Sequence, residues 1–283
     1  MDITINGKAT DITLENEKNL GEVIANLEQW LVSLGHRLSA ISIDGETVQL
    51  SLVEEIFSRD VNGVKSLDLK TSSIAQLSAE SLLTILADIK DYESLENQDK
   101  KNYLAVWKQT PQANYTSENM SDLYNVLTNA FAGVGLSTQD IFSITEERLR
   151  EVKDPQKEFK NLKPLLDETC SRLTELSLDV QTGKDTRAAQ TIQLFSGVTE
   201  KMLRTINQLD VQGYLSKNEG AEKPFTQIID ELGKLVKELY DAYERHDTVL
   251  VGDIAEYEAA DKLQELYAAC LTETVDQSIK SEK

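Results

Sequence analysis

Cysteine is scarce in this 283-residue chain: only Cys170 and Cys270 are present. Two thiols make no disulfide framework, and both fall on apolar helical stripes, where small core residues are expected. The opening Met1-Asp2-Ile3-Thr4 has neither the basic start nor the apolar segment of an export signal, so a reducing cytoplasm is the expected setting. Histidine is equally rare. His36 and His246 belong to no His-x3-His or Glu-x-x-His pattern, so a di-iron type of bundle site lacks its ligands. His246 with Asp247 and Asp253 is the one grouping that could touch a metal, and the expectation is no metal and no cofactor. A nucleophilic cysteine would need a histidine set against it, and no such pair is suggested. Gly-rich phosphate loops and Gly-x-Ser-x-Gly are missing too. Four prolines and 13 glycines exclude collagen-like or low-complexity chains. No run approaches the ~20 apolar residues of a membrane span.

Acid is what the chain has in excess. Its 49 acidic and 29 basic residues leave a net charge of −20 and a pI near 4.5. Nucleic-acid affinity needs clustered Lys and Arg, and the densest basic group is Lys100-Lys101 with acids close by. The expectation is no nucleic acid and no anionic membrane surface as partner. A basic or amphipathic protein partner suits the charge, as does simple solubility.

The first seventy residues alternate in the manner of strands around one helix. Ile3 and Ile5 face opposite to Thr4 and Asn6, and Asn6-Gly7 is a strong hairpin signal. Thr10 to Leu14 resumes the alternation. Asn19 is placed to cap a helix in which Leu20, Ile24, Leu27, Leu31 and Leu34 recur at about 3.6 residues, and Gly35 ends it. Ala40 to Ile43 reads as a strand, Asp44-Gly45 as a second tight turn, and Thr47 to Leu50 as its return. A short helix over Leu52 to Phe57 and a last strand over Val64 to Leu69 follow. This order of strand, strand, helix, strand, short helix, strand resembles the β-grasp, or ubiquitin-like, fold of sulfur carriers. The last strand runs on through Lys70, Thr71 and Ser72, without the free Gly-Gly end of the carriers. The resemblance therefore implies an interaction or scaffolding module rather than carrier chemistry.

The rest reads as helices, so the fold class expected is α+β: a β-grasp-like unit over 1–72, a helical connecting region over 73–153 and an antiparallel four-helix bundle of two hairpins over 154–283. In the connecting region, helices are expected from Ser73, over Asn97 to Thr110, and from Ser117 to Phe131, with a break at Pro111 to Tyr115. Ser137 and Asp140 have capping-box spacing. In the bundle, the ladders run through Phe159, Leu162, Leu166, Thr169, Leu173 and Leu176, and through Ile192, Phe195, Thr199, Met202, Ile206 and Leu209. A third uses Phe225, Ile228, Leu232, Leu235, Leu239 and Tyr243, and a fourth Leu250, Ile254, Tyr257, Leu266, Cys270 and Val275. Asp185-Thr186 and Asp247-Thr248 recur at an offset of about sixty residues, a faint repeat in which each Asp should cap the next helix. Val211 to Pro224 is the expected loop between hairpins. This C-terminal part weakly resembles uncharacterised bacterial helical proteins, chiefly in Gln181 to Asp185 and Asp247 to Glu258.

The expected function is a non-enzymatic cytoplasmic interaction protein, an adaptor, chaperone or assembly factor. Asp253, Glu256, Tyr257 and Glu258 would present an acidic edge to the partner, while Val249, Leu250 and Ile254 enter the bundle. Two alternatives stand beside it. One is a small-ligand binder or enzyme with a pocket between head and bundle, where Tyr243, His246, Asp253 and Tyr257 converge. The other is a self-assembling structural protein, of which a homodimer is the simplest case.

Overall fold

The computed structural model describes residues 1–10, 17–48, 53–215 and 226–273. The expected features at Asp11 to Leu14, Gln49 to Leu52, Phe225, Val275 and most of the Val211 to Pro224 loop lie outside the described residues. The fold is α+β. Strands β1 (Asp2–Ile5), β2 (Lys8–Ala9), β3 (His36–Ile43), β4 (Glu46–Thr47) and β5 (Ser66–Ser73) form one mixed sheet in the order β2-β1-β5-β3-β4. β1 runs parallel to β5, and the other pairs are antiparallel. Both tight turns need a left-handed backbone at two successive residues. Asn6 and Gly7 adopt φ of 51° and 76°, and Asp44 and Gly45 adopt 52° and 86°. Asp44 also ties its turn to β5, accepting from the Lys65 and Ser66 amides at 2.8 and 3.0 Å.

Helix α1 (Leu20–Ser33) lies on this sheet. Asn19 caps it by accepting from the Glu22 amide at 2.9 Å, and Gly35 leaves it at a φ of 75°. Leu20, Val23, Ile24 and Leu27 pack with Ile3, Leu67 and Leu69 in the first core cluster. Leu34, expected on the buried stripe, is exposed, because the helix has already ended there and Leu34 is its C-cap. Strands β3 and β5 are each eight residues, longer than the alternation alone indicates. Their pairing from Ile43↔Leu67 to His36↔Ser73 holds polar residues such as Arg37 and Ser72 in strand form. Short α2 (Val53–Phe57) follows β4.

Helices α3 (Ile74–Ser94), α4 (Asn97–Trp107), α5 (Pro111–Asn119), α6 (Ser121–Phe131) and α7 (Thr138–Lys153) build the second cluster. Ser73 with Gln76, and Ser137 with Asp140, close capping boxes at the starts of α3 and α7. Pro111 is no break. It sits in the first turn of α5, where its missing N–H is unneeded, and Thr110 caps that helix. Consequently Ser117 to Asn119 belong to α5, and α6 starts only after Met120 leaves helical geometry. The core here is aromatic: Trp107 packs on Phe131 and Tyr124, and its indole N–H donates to Asp88 at 2.9 Å.

The third cluster is a helical bundle of α8 (Pro155–Asn161), α9 (Lys163–Gln181), α10 (Asp185–Val211), α11 (Thr226–Glu244), α12 (Thr248–Asp253), a π-helical turn (Ile254–Ala259) and α13 (Ala260–Glu273). The first ladder is cut at Leu162 because Pro164 begins a new helix rather than continuing the old one. Thr169 and Thr199 occupy ladder slots without polar penalty, since each hydroxyl donates to the carbonyl four residues back, at 2.7 and 2.8 Å. Both cysteines are buried in this core. Asp247 caps α12, accepting from the Leu250 amide at 3.1 Å. Asp185 does not cap α10. Lys184 holds the cap position and Asp185 falls in the first turn, where its charge still suits the helix dipole.

Val249 and Leu250 do not enter the bundle. Val251, Gly252, Ile254 and Ala255 face inward, and 100° per residue then turns Val249 and Asp253 outward, leaving Val249 72% exposed. The π turn shifts the buried stripe about one residue later, to Ala259, Ala260, Leu263, Leu266 and Cys270. The same shift leaves Tyr257 outside, 66% exposed. No helix among the described residues is long and apolar enough to cross a membrane.

Candidate functional site

Among the described residues, an acidic edge, an apolar groove and a buried ion cluster stand out on the bundle. The first is the acidic edge. Asp253, Glu256 and Glu258 are exposed around Tyr257, on α12 and the π turn that carries its stripe outward. None of the three carboxylates has a hydrogen-bond or ion-pair partner among the described residues. Glu231 and Glu265 share Lys262 at 2.8 and 2.9 Å, which holds Glu231 below the usual carboxylate range. Residues 226–273 carry twelve acids against four Lys and Arg, a balance of −8. The unpaired carboxylates therefore set the field on this side of the molecule.

The second is a groove of about 550 Å³ between α10 and α11. Its floor is apolar, with Ile192, Val236 and Tyr243, and Ala189 and Gly233 keep it open. Tyr240 stands at its wall, 54% exposed. Burial pushes the Tyr243 hydroxyl above its usual pKa, and that hydroxyl donates to the Asp185 carbonyl at 3.1 Å. The α9–α12 side of the bundle, by contrast, is tightly packed. At α9 against α12, a side chain on Gly252 would meet Ser177 Oγ at 2.8 Å.

The third is an ion cluster joining α7 to α10. Arg204 donates through Nη2 and Nε to the two carboxylate oxygens of Glu151, at 3.1 and 3.3 Å, and reaches Glu147 at 3.2 Å. Lys201 bonds Glu147 at 3.2 Å, and Arg148 approaches Glu151 at 3.7 Å while also pairing with Asp122. The Glu151 side chain is 3% exposed, and burial pushes its carboxyl up to about 8 against the pull of Arg148 and Lys201. A recess of about 240 Å³ opens beside it, walled by Ser78, Tyr115 and Arg148. Arg204 and Lys201 also pair with Glu147, so the cluster braces the two helical cores whether or not Glu151 holds its proton. Sequence reading missed it. The spacing Glu147/Glu151 on α7 and Lys201/Arg204 on α10 puts like charges on single faces and was the available signal.

Tyr243, His246, Asp253 and Tyr257 form no shared side-chain site. Tyr243 turns to Asp185, His246 is exposed in a left-handed turn at a φ of 56°, and Asp253 and Tyr257 point to solvent. Nor do His246, Asp247 and Asp253 gather as ligands, since Asp247 is engaged as the cap of α12. Where the sheet unit meets the bundle, a recess of about 320 Å³ is lined by other residues, among them Leu34, Gly35, Ile74 and Val211. A side chain on Gly35 would meet the Val211 carbonyl at 3.2 Å, a close approach that fits glycine.

Comparison with known proteins divides the chain in a related way. Residues 1–73 match the family model described as TP0873 N-terminal domain. Residues 157–269 match a domain of unknown function, DUF8042. An uncharacterized protein of Treponema pallidum (strain Nichols) is 30% identical over 90 residues, covering 31% of this chain. The match spans less than half of that relative, 45% of its length. No solved structure matches. The chain is thus similar, at its two ends, to two sequence families.

Proposed function

We propose that this protein is a non-enzymatic, cytoplasmic interaction module, an adaptor or chaperone that engages a basic or amphipathic protein partner through its acidic C-terminal helices. One observation carries the reading: Asp253, Glu256 and Glu258 stand exposed and unneutralised on the same stretch of helix as the exposed Tyr257. A solvent-facing aromatic with exposed carboxylates four and one residues before it and one after it offers contact area beside steering charge. The sheet order, with β1 beside β5 and α1 across one face, supports assigning residues 1–72 to a β-grasp head. In this reading the head is a second interaction or scaffolding element, without carrier chemistry.

The test is affinity capture from a bacterial lysate at low and moderate salt, with the full chain as bait. A second bait carries Asp253→Asn, Glu256→Gln and Glu258→Gln. The reading expects one dominant basic protein, weakened by salt and lost from the triple variant. Equal recovery on both baits, or a clean lane at both salts, overturns it.

A further inference from the structure

We propose that the groove between α10 and α11 is a docking site for one amphipathic helix of a partner protein, apolar face inward and flanked by Lys or Arg. This rests on the interaction reading above and names a surface distinct from the Asp253–Glu258 edge. The bundle supplies the first argument. Its α9/α12 side is sealed by Gly252 against Ser177, whereas the α10/α11 side stays open over Ile192, Val236 and Tyr243. Small residues keep it so: Ala189 and Ser196 on α10 and Gly233 on α11. A groove of about 550 Å³ takes several Leu-sized side chains, the row that a helix presents at i, i+3, i+4 and i+7. Tyr240 stands at the wall as an aromatic contact that no neighbour covers fully.

Charge names the occupant. Helical periodicity extends the groove-lining rows of α10 to Asp185 at one end and Glu200 at the other, and those of α11 to Asp230, while Glu244 lines the groove itself. All four carboxylates are exposed, against the ammoniums of Lys237 on the lining and of Lys234 three residues before it, which leaves acid in excess. An apolar floor between acidic ends complements a helix with an apolar face and basic flanks, and repels an acidic one. A second copy of this chain, itself at −20, is disfavoured by the same field.

Gly233 gives a clean probe. It is exposed on α11, and a Cβ built there meets nothing within 4 Å. The Cβ of Gly233→Phe therefore has room, its ring takes up space in the groove that Gly233 lines, and it replaces a poor helix former. The experiment is fluorescence anisotropy with the full chain and a labelled Leu/Lys peptide of amphipathic pattern. An isomer of the same composition with scattered leucines is the control. The proposal expects one-to-one binding of the patterned peptide, weakened about tenfold or more by Gly233→Phe. Neutralising Asp185, Glu200, Asp230 and Glu244 should lower both affinity and salt dependence. Equal binding to wild type and Gly233→Phe overturns the groove. If that unchanged binding falls instead with Asp253→Asn, Glu256→Gln and Glu258→Gln, the groove fails while the acidic-edge reading stands. No binding of the peptide also overturns it, as does a dimer in sedimentation that Gly233→Phe abolishes. Capture of an apolar dye in the groove without capture of the peptide would assign it to a small ligand and overturn it as well.

Discussion

Gly252 sets how closely α12 lies on α9, and its replacement can be worked out in advance. In Gly252→Ala the added Cβ would sit 2.8 Å from Ser177 Oγ and 3.1 Å from Ser177 Cβ, so the Ser177 hydroxyl must turn away from its Gln181 partner and the two helices must part by a few tenths of an ångström. Two effects oppose each other. Alanine stabilises a helix interior by about 1 kcal/mol relative to glycine, whereas overpacking a fitted contact costs about 1–3 kcal/mol. The net expectation is a loss of about 1 kcal/mol. Ser177→Ala removes the nearer atom and gives up only the hydrogen bond from Gln181, at 3.1 Å. In that background Gly252→Ala should become neutral or stabilising, a coupling of about 1 kcal/mol. The chain's two cysteines report on this bundle alone, because both are buried in its core. Labelling by a thiol-specific reagent therefore measures how often the bundle opens. Gly252→Ala should speed labelling about fivefold in the wild-type background, with no acceleration beside Ser177→Ala. Slower labelling in both backgrounds would mean that helix propensity decides and that the close approach is not a packing constraint.

Glu151 makes stability depend on pH. Its folded pKa lies at about 8, above its ordinary 4.5, so between those values the folded state holds a proton that the unfolded state has released. Stability should fall as pH rises through that window, and thermal melts of Glu151→Gln should show a shallower fall. An unchanged slope would remove Glu151 from the account. Trp107→Ala should destabilise the middle helices by about 3–5 kcal/mol, seen as an early transition in urea followed by circular dichroism. Acrylamide should quench Trp30, which is 48% exposed, and spare Trp107 at 2%, so Trp30→Phe should leave a protected emission. Ser73→Ala breaks the capping box at the β5–α3 junction and should cost about 1 kcal/mol, read as a lower melting temperature.

Local signals carried much of the fold. Asn6-Gly7 and Asp44-Gly45 announced their turns, since few residue pairs accept two left-handed conformations in a row. Asn19, Ser137 and Asp247 announced helix starts because each side chain satisfies an otherwise free amide. Pro111 was read as a break, and Pro164 was passed over inside a single ladder. Proline both ends and begins helices, and only the flanking geometry separates the two roles. The π turn was illegible because nothing in Ile254 to Ala259 encodes it. It buries Ala255 and Ala259 and leaves Tyr257 outside the expected core. The brace around Glu151 needed tertiary knowledge, namely that α7 and α10 face each other. Of the site, the exposure of Asp253, Glu256 and Glu258 followed from their polarity. The α10–α11 groove is a property of spacing between helices, which no single stripe records.

The central claim is that the acidic C-terminal helices, rather than the sheet unit, engage the partner. Hydrogen–deuterium exchange of the full chain, alone and with its captured partner, tests it most directly. The account predicts slowed exchange in α10, α11 and residues 248–273, with residues 1–73 unchanged. Protection confined to the sheet unit would contradict it.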